Sequence, residues 1–125
     1  MKALVLGLGR QGKAVVHDLE RSSIVREIIA ADLKSTDTIR SRLKTVAHKK
    51  TRAVQVDGAD RHALAALIER YRPQVIICML PPALGFGVAE TAVAKGISFV
   101  SSSYTERLAA LDEAPRRRGV SILPE

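Results

Sequence analysis

The sequence has no long apolar segment. Its longest uninterrupted apolar stretches, such as residues 75–80, are far shorter than the roughly 18 residues that a membrane-spanning helix requires. The apolar residues that open the chain are followed at once by Gly7, Gly9 and Arg10, which leaves too short a segment for a secretory signal peptide. We therefore expect a cytoplasmic protein that does not span a membrane.

Cysteine and aromatic residues are scarce. The single cysteine, Cys78, lies within an apolar run, which excludes an internal disulfide and a cysteine-rich metal site and predicts a buried thiol. His17, His48 and His62 do not have the spacing of metal ligands, and we expect them at the surface. Tryptophan is absent and aromatic residues make up 3% of the chain, so a stacking platform for single-stranded nucleic acid is missing. The composition thus disfavours both a metal and a nucleic-acid partner.

The 125 residues have the length and composition of one globular domain, with 46% apolar and 26% charged residues. The chain carries 20 basic against 13 acidic side chains, for a net charge of +7. Six of the basic residues fall between Asp37 and Asp57, where no acid occurs. We call residues 40–52 the basic stretch; it contains Arg40, Arg42, Lys44, Lys49, Lys50 and Arg52. Its part after Val46 is expected to be a loop, either simply solvated or placed to accept a phosphate.

Apolar strands alternate with mostly helical segments along the whole chain. The pattern predicts strands at 2–6, 24–32, 53–57, 75–80, 97–100 and 120–123, and helices at 13–21, 36–46, 61–71, 83–95 and 105–118. Such alternation requires parallel pairing with right-handed crossovers. We therefore predict an α/β fold: one Rossmann-type, doubly wound, six-stranded sheet with strand order 3-2-1-4-5-6. Binding residues should follow the carboxyl ends of its strands.

A glycine turn follows the first strand, with Gly7, Gly9 and Gly12 in the pattern Gly-x-Gly-x-x-Gly. In a dinucleotide-binding fold the first glycine permits a tight turn and the second admits a pyrophosphate. The third lets the helix pack closely on the strand. The free N–H groups of the helix N-terminus then face the phosphates. A purely structural glycine turn is the alternative.

Asp32 lies 20 residues after Gly12, at the end of the second predicted strand. A carboxylate there accepts both ribose hydroxyls of an adenosine and repels a 2′-phosphate, which favours NAD. Lys34 and the basic stretch favour NADP, because cations beyond this strand accommodate that phosphate. We give NAD a slight preference and leave NADP open.

Further candidate cofactor residues follow the same strand ends. They are Arg10 and Gln11 near the pyrophosphate, Asp57 near the adenine, Leu80 and Pro81 after strand four, and Ser102 and Ser103 towards the nicotinamide. Alternatively, Arg10 points to solvent, Asp57 is a plain turn residue, and the serines cap a helix. No catalytic set is visible, so this stretch of chain offers binding and orientation, and the hydride chemistry belongs to the cofactor.

With these residues in place, the sequence resembles the N-terminal cofactor domain of the saccharopine dehydrogenase-like family along its whole length. The resemblance is carried by Val5-Leu6-Gly7-Leu8-Gly9-Arg10-Gln11-Gly12, Val56-Asp57, Val75-Ile76-Ile77-Cys78-Met79-Leu80-Pro81-Pro82, Lys95-Gly96-Ile97-Ser98-Phe99-Val100 with Ser103-Tyr104, and Gly119-Val120-Ser121-Ile122-Leu123-Pro124-Glu125. The Leu-Pro-Pro and Ser-Tyr segments are more specific than the glycines. Many relatives carry an acid where Ser101 stands.

The resemblance implies an NAD(P)-dependent oxidoreductase of lysine metabolism. It acts on the C–N bond that joins an amino acid to a carbonyl-derived chain, as in saccharopine. Members typically continue past a segment like Leu123-Pro124-Glu125 into a substrate domain that is as large or larger. Residues 1–125 would then be the NAD(P)-binding domain of a longer polypeptide. The sequence does not decide whether the protein forms a homodimer.

A regulatory nucleotide-sensing module of the potassium-channel gating type is the alternative from another class. It has a similar length, a similar glycine turn and an acidic end to strand two. The Leu80-Pro81-Pro82 and Ser103-Tyr104 segments favour the oxidoreductase.

Overall fold

The computed structural model describes residues 1–47, 49–101 and 122–124. Its strands are β1 (Lys2–Leu6), β2 (Glu27–Asp32), β3 (Thr51–Gln55), β4 (Val75–Cys78), β5 (Ser98–Ser101) and β6 (Ile122–Pro124). Its helices are α1 (Arg10–Glu20), α2 (Thr36–Arg42), α3 (Arg61–Tyr71) and α4 (Pro82–Ala94).

All six strands pair in parallel, in the order β3-β2-β1-β4-β5-β6. This confirms the predicted Rossmann-type sheet and its strand order. Leu6, the last residue of β1, pairs with Ala31 of β2 and Cys78 of β4. The order of the strands reverses at β1 and β4, so a cleft opens where these strands end.

Helices cover both faces of the sheet, and a buried apolar cluster lies on each. On one face Val16 of α1 and Ile39 of α2 pack on Val5 and Ile28. On the other face the helices are α3 and α4. Their buried residues there are Leu64, Leu67, Ile68, Val88, Ala89, Ala92 and Val93. Two covered faces explain why the central strands are almost continuously apolar.

Strand β2 is shorter than predicted, because its first three predicted residues form the connection from α1. The Ser22 hydroxyl oxygen accepts the N–H groups of Ile24 and Val25 and holds them in a turn. Ile24 is 67% exposed. Apolar character alone therefore placed the start of β2 three residues too early.

Strand β3 begins two residues before the predicted start and ends two residues early. Asp57, predicted as its last residue, instead turns the chain, since its Oδ1 accepts the N–H of Ala59 at 2.9 Å. Thr51 and Arg52, expected in a loop, belong to β3. The predicted loop of the basic stretch is wrong at that end. Strand β4 also ends early, at Cys78.

Several predicted helix boundaries are confirmed. Ser35 caps α2 and Asp60 caps α3 through side-chain oxygens. Pro82 opens α4, and Gly96 after it has a φ of +70°, which glycine adopts without steric cost. Helix α1 starts at Arg10, three residues earlier than predicted, so its first turn includes part of the glycine motif. The predicted helix at 105–118 lies outside the described residues.

Candidate functional site

The glycine turn leaves β1 through a backbone conformation that requires glycine. Gly7 has a φ of +89°, and its N–H donates to the carbonyl of Ala31 in β2 at 3.0 Å. A Cβ at this position would lie 3.0 Å from the backbone carbon of Met79. The tight turn predicted at Gly7 is therefore present, and it presses against the end of β4.

Gly12 allows α1 to lie directly on this turn. A Cβ at Gly12 would collide with the carbonyl oxygen of Gly7, so no side chain fits at this position. The predicted role of the third glycine, close packing of the helix on the strand, agrees with this contact.

Gly9 differs from both of these glycines, because no contact among the described residues requires glycine there. No described atom lies within 4 Å of a Cβ built there, and its φ of −71° is open to any residue. Gly9 is the N-cap of α1, makes no side-chain cap, and the first turn of α1 contains no acid. The first-turn N–H groups of Arg10, Gln11 and Gly12 have no acceptor within the helix, and Arg10 and Gln11 are exposed, so this helix start suits an anion such as a pyrophosphate.

Asp32 lies opposite this helix start. Its Oδ2 accepts the N–H of Leu8 at 2.7 Å, and its Oδ1 accepts the N–H of Lys34 at 3.2 Å. These bonds fix the carboxylate at the end of β2. Each oxygen keeps lone-pair capacity for a further donor, such as a ribose hydroxyl.

Arg42 of α2 also holds the glycine turn, and sequence reasoning did not single it out. Its Nη1 donates to the carbonyl of Leu8 at 2.8 Å. Both peptide groups flanking Leu8 are therefore anchored, one by Asp32 and the other by Arg42. Arg42 lies three residues after the buried Ile39, but no sequence pattern indicates the carbonyl that it reaches.

A cleft joins the turn to the ends of β2, β3 and β4. Its lining brings together four predicted cofactor residues, Gly7, Asp32, Asp57 and Leu80. The apolar wall consists of Leu6, Ala31, Leu33, Val56, Leu80 and Leu84. Proteins commonly hold an adenosine with its flat base between apolar walls and a ribose hydroxyl on a neighbouring carboxylate, and this lining offers both elements.

The remaining predicted site residues lie around this cleft or beyond the described chain. Arg10 and Gln11 are exposed in the first turn of α1, and Pro81 is the exposed N-cap of α4. The carbonyl of Pro81 accepts the N–H groups of Leu84 and Gly85. Its role in the structure is to start that helix. Ser102 and Ser103 lie outside the described residues.

The other polar candidates form no further site. Cys78 is buried as predicted, and desolvation raises the pKa of its thiol above the usual value. His17 and His62 are exposed, and His48 lies outside the described residues. Over residues 1–47, 49–101 and 122–124, no cluster of histidine, cysteine or acidic side chains could hold a metal ion. The helices in this part of the chain are too short or too polar to cross a membrane.

Solved structures share this fold. Apo saccharopine dehydrogenase (L-Glu forming) from Saccharomyces cerevisiae is 22% identical, with a TM-score of 0.82 over 99% of this chain. The dTDP-glucose 4,6-dehydratase of Bacillus anthracis, solved with NAD, is 16% identical, with a TM-score of 0.76 over 99% of this chain. Dipicolinate-bound dihydrodipicolinate reductase from Paenisporosarcina sp. TG-14 is 16% identical, with a TM-score of 0.75 over 99% of this chain.

The chain spans 26%, 53% and 46% of the length of these three structures, respectively. At such identities the likenesses establish the fold. The family itself is established by sequence: the model of the saccharopine dehydrogenase NADP binding domain matches residues 3–123. The chain therefore belongs to the saccharopine dehydrogenase NADP-binding domain family.

Proposed function

We propose that residues 1–125 are the cofactor-binding domain of a saccharopine dehydrogenase-type oxidoreductase. The observation that carries the proposal is the open start of α1. Gly9 leaves a space that the fold does not need, next to uncapped N–H groups. A dinucleotide pyrophosphate has the charge and the acceptor oxygens to occupy it.

The cofactor contacts follow from this placement. Gly9, Arg10, Gln11 and Gly12 receive the pyrophosphate, and Asp32 accepts the adenosine ribose hydroxyls. Gly7, Asp57 and Leu80 line the cleft for the adenosine. Pro81 holds the loop after β4, and Ser102 and Ser103 are assigned to the nicotinamide end.

We propose that NAD(H) is preferred over NADP(H). The N–H groups of Leu8 and Lys34 hold the Asp32 carboxylate where it would repel a 2′-phosphate. Arg42 acts against this preference. Its guanidinium is bound to the adjacent Leu8 carbonyl, and a positive charge there favours a 2′-phosphate. Removing the charge of Asp32 should therefore move the preference towards NADPH.

Calorimetric titration of the chain with NADH and with NADPH at fixed salt tests this preference. We expect tighter NADH binding, and in Asp32→Asn a shift of the affinity ratio towards NADPH of about tenfold, or about 1.4 kcal/mol. Asp37→Asn, an exposed carboxyl-to-amide change in α2, serves as the matched control and should leave the ratio unchanged.

Tighter NADPH binding by the unaltered chain would overturn the ribose role of Asp32. If neither nucleotide binds below about 1 mM, roughly 4 kcal/mol of binding free energy, the cofactor proposal fails as well.

The reaction that we propose for the whole protein is oxidation or reduction at a C–N bond in lysine metabolism. The bound nicotinamide accepts or supplies the hydride. In the oxidative direction, an amine that joins an amino acid to a second carbon chain loses a hydride and a proton. Water then cleaves the resulting imine into an amino acid and a carbonyl compound.

This reaction needs groups that lie beyond the described residues. The same proposal includes a substrate domain after residue 125 and a cytoplasmic location. It is compatible with a monomer or a homodimer. NADH formation at 340 nm from saccharopine and NAD⁺ by the full-length protein tests it. Nucleotide binding without turnover of saccharopine or related amino-acid adducts would favour the nucleotide-sensing alternative.

A further inference from the structure

Strand β3 forms one edge of the sheet, with β2 as its neighbour in the strand order. The N–H of Ile28 donates to Lys50, and the N–H of Val56 donates to Asp32, each at 2.9 Å. In a parallel ladder this register turns the backbone of alternate residues towards β2 and that of Thr51, Ala53 and Gln55 outward.

Ala53 lies at the centre of this outward row. Within the described ranges, no residue forms a hydrogen bond with its N–H or its carbonyl. An edge of this kind is a template for an additional strand.

Grooves flank the edge on both faces of the sheet. On the α3 side, Val54, Leu67 and Tyr71 form an apolar floor. On the α2 side, Leu43 and Ala47 do so. Because side chains alternate between the two faces along a strand, an added strand would place successive side chains in the two grooves.

Arginines outnumber acids on the rims of both grooves, where the one acid among the described lining residues is Asp57 on the α3 side. The Arg52 and Arg70 guanidinium carbons lie 5.9 and 5.3 Å from the centroid of the Tyr71 ring, on the α3 side. Arg40 lines the other groove, and its ion pair with Asp37, at 3.5 Å, is between exposed side chains and is therefore weak. Within the chain, no acid occurs between Asp37 and Asp57.

We propose that the free edge of β3 binds an extended acidic segment of a separate partner protein, which adds to the sheet as a strand. Backbone hydrogen bonds provide the pairing, and acidic side chains meet the arginines of the rims. A second copy of the chain would bring the same arginines against each other, which disfavours pairing of two β3 edges. This inference does not depend on the proposed cofactor.

The probe is a nine-residue peptide with a Val-Thr-Val-Thr-Val centre and two glutamates at each end, titrated into the chain by calorimetry. A peptide with lysines in place of the glutamates is the matched control, since it keeps length and strand propensity. We expect the acidic peptide to bind at least tenfold more tightly. It should also slow hydrogen exchange of the Ala53 amide.

Two variants locate the binding. Ala53→Pro removes the outward N–H and leaves the ladder to β2 intact, because that ladder uses the neighbouring residues. Arg52→Glu reverses a rim charge, and Arg21→Glu does the same at the exposed end of α1 as a control. We expect tenfold weaker binding in the first two and no change in the third. If Ala53→Pro lowers the thermal unfolding temperature markedly, the test rests on the comparison of Arg52→Glu with its control Arg21→Glu.

Equal affinity for the two peptides, or binding unaffected by Arg52→Glu, would overturn the proposal. A concentration-dependent dimer seen by light scattering, and abolished by Arg52→Glu or Ala53→Pro, would assign the edge to a second copy and overturn it too.

Discussion

Helices α1 and α3 both start at the carboxyl ends of parallel strands, β1 and β3, yet their first turns differ. Asp60 caps α3, and its Oδ1 accepts the N–H groups of His62 and Ala63 at 3.0 and 3.1 Å. Gly9 provides no such cap for α1. Glycine in place of such a side-chain cap costs a helix a few tenths of a kcal/mol, so α1 forgoes a small stabilisation. The N–H groups it leaves free are those assigned to the cofactor.

The comparison also separates two kinds of glycine at the start of α1. Gly12 is required by the fold, because a side chain there would collide with Gly7. Gly9 has open space around it. Substitutions at the two positions should therefore affect different properties, stability at Gly12 and binding at Gly9.

The largest expected effect is that of Gly12→Ala on stability. The added Cβ forces the helix away from the carbonyl of Gly7, and we expect a loss of about 3 kcal/mol in the free energy of unfolding. Urea denaturation measures it. Gly87→Ala in α4 is the matched control, because its nearest neighbour, Arg61, would be at an ordinary 3.5 Å. A Gly12→Ala variant as stable as the Gly87→Ala variant would contradict the packing assigned to α1.

Gly9→Val should weaken cofactor binding with the fold retained. The side chain occupies the pyrophosphate space, and we expect about 100-fold weaker NADH binding, or about 2.7 kcal/mol, with Gly9→Ala intermediate. The free energy of unfolding should change by less than about 1 kcal/mol. Unchanged NADH affinity in a folded Gly9→Val variant would remove the glycine turn from the cofactor site.

Asp60→Ala removes the side-chain cap of α3 and tests the other helix start. Loss of the cap on α3 should lower the free energy of unfolding by about 1 kcal/mol, measured by urea denaturation. NADH affinity should not change, since the first turn of α3 has no assigned ligand. A tenfold loss of affinity would mean that both helix starts serve the cofactor, and the contrast between them would fail.

Much of the fold was predictable because its signals are local. Continuous apolar runs marked the strands, and Ser35, Asp60 and Pro82 marked helix starts through their own chemistry. The glycine spacing predicted the turn at Gly7 and the packing at Gly12. These features depend on a few neighbouring residues, which a sequence displays directly.

The remaining features depend on contacts between distant residues. The bond from Arg42 to the Leu8 carbonyl joins residues 34 positions apart, and no spacing rule predicts it. The start of β3 at Thr51 depends on its register with β2, and the turn at Asp57 replaced the last predicted strand residue. The charges of the basic stretch suggested a loop after Val46, because the sequence displays charge directly but not the pairing of Thr51 and Arg52 with β2.

A two-dimensional amide NMR titration of the chain with NADH tests directly whether the start of α1 binds the cofactor. We expect the largest backbone amide shifts at Leu8 and at the first turn of α1, in Arg10, Gln11 and Gly12. The amides of His62 and Ala63, which Asp60 already occupies, should change little. Large shifts at the start of α3 with none at the start of α1 would contradict cofactor binding at the start of α1.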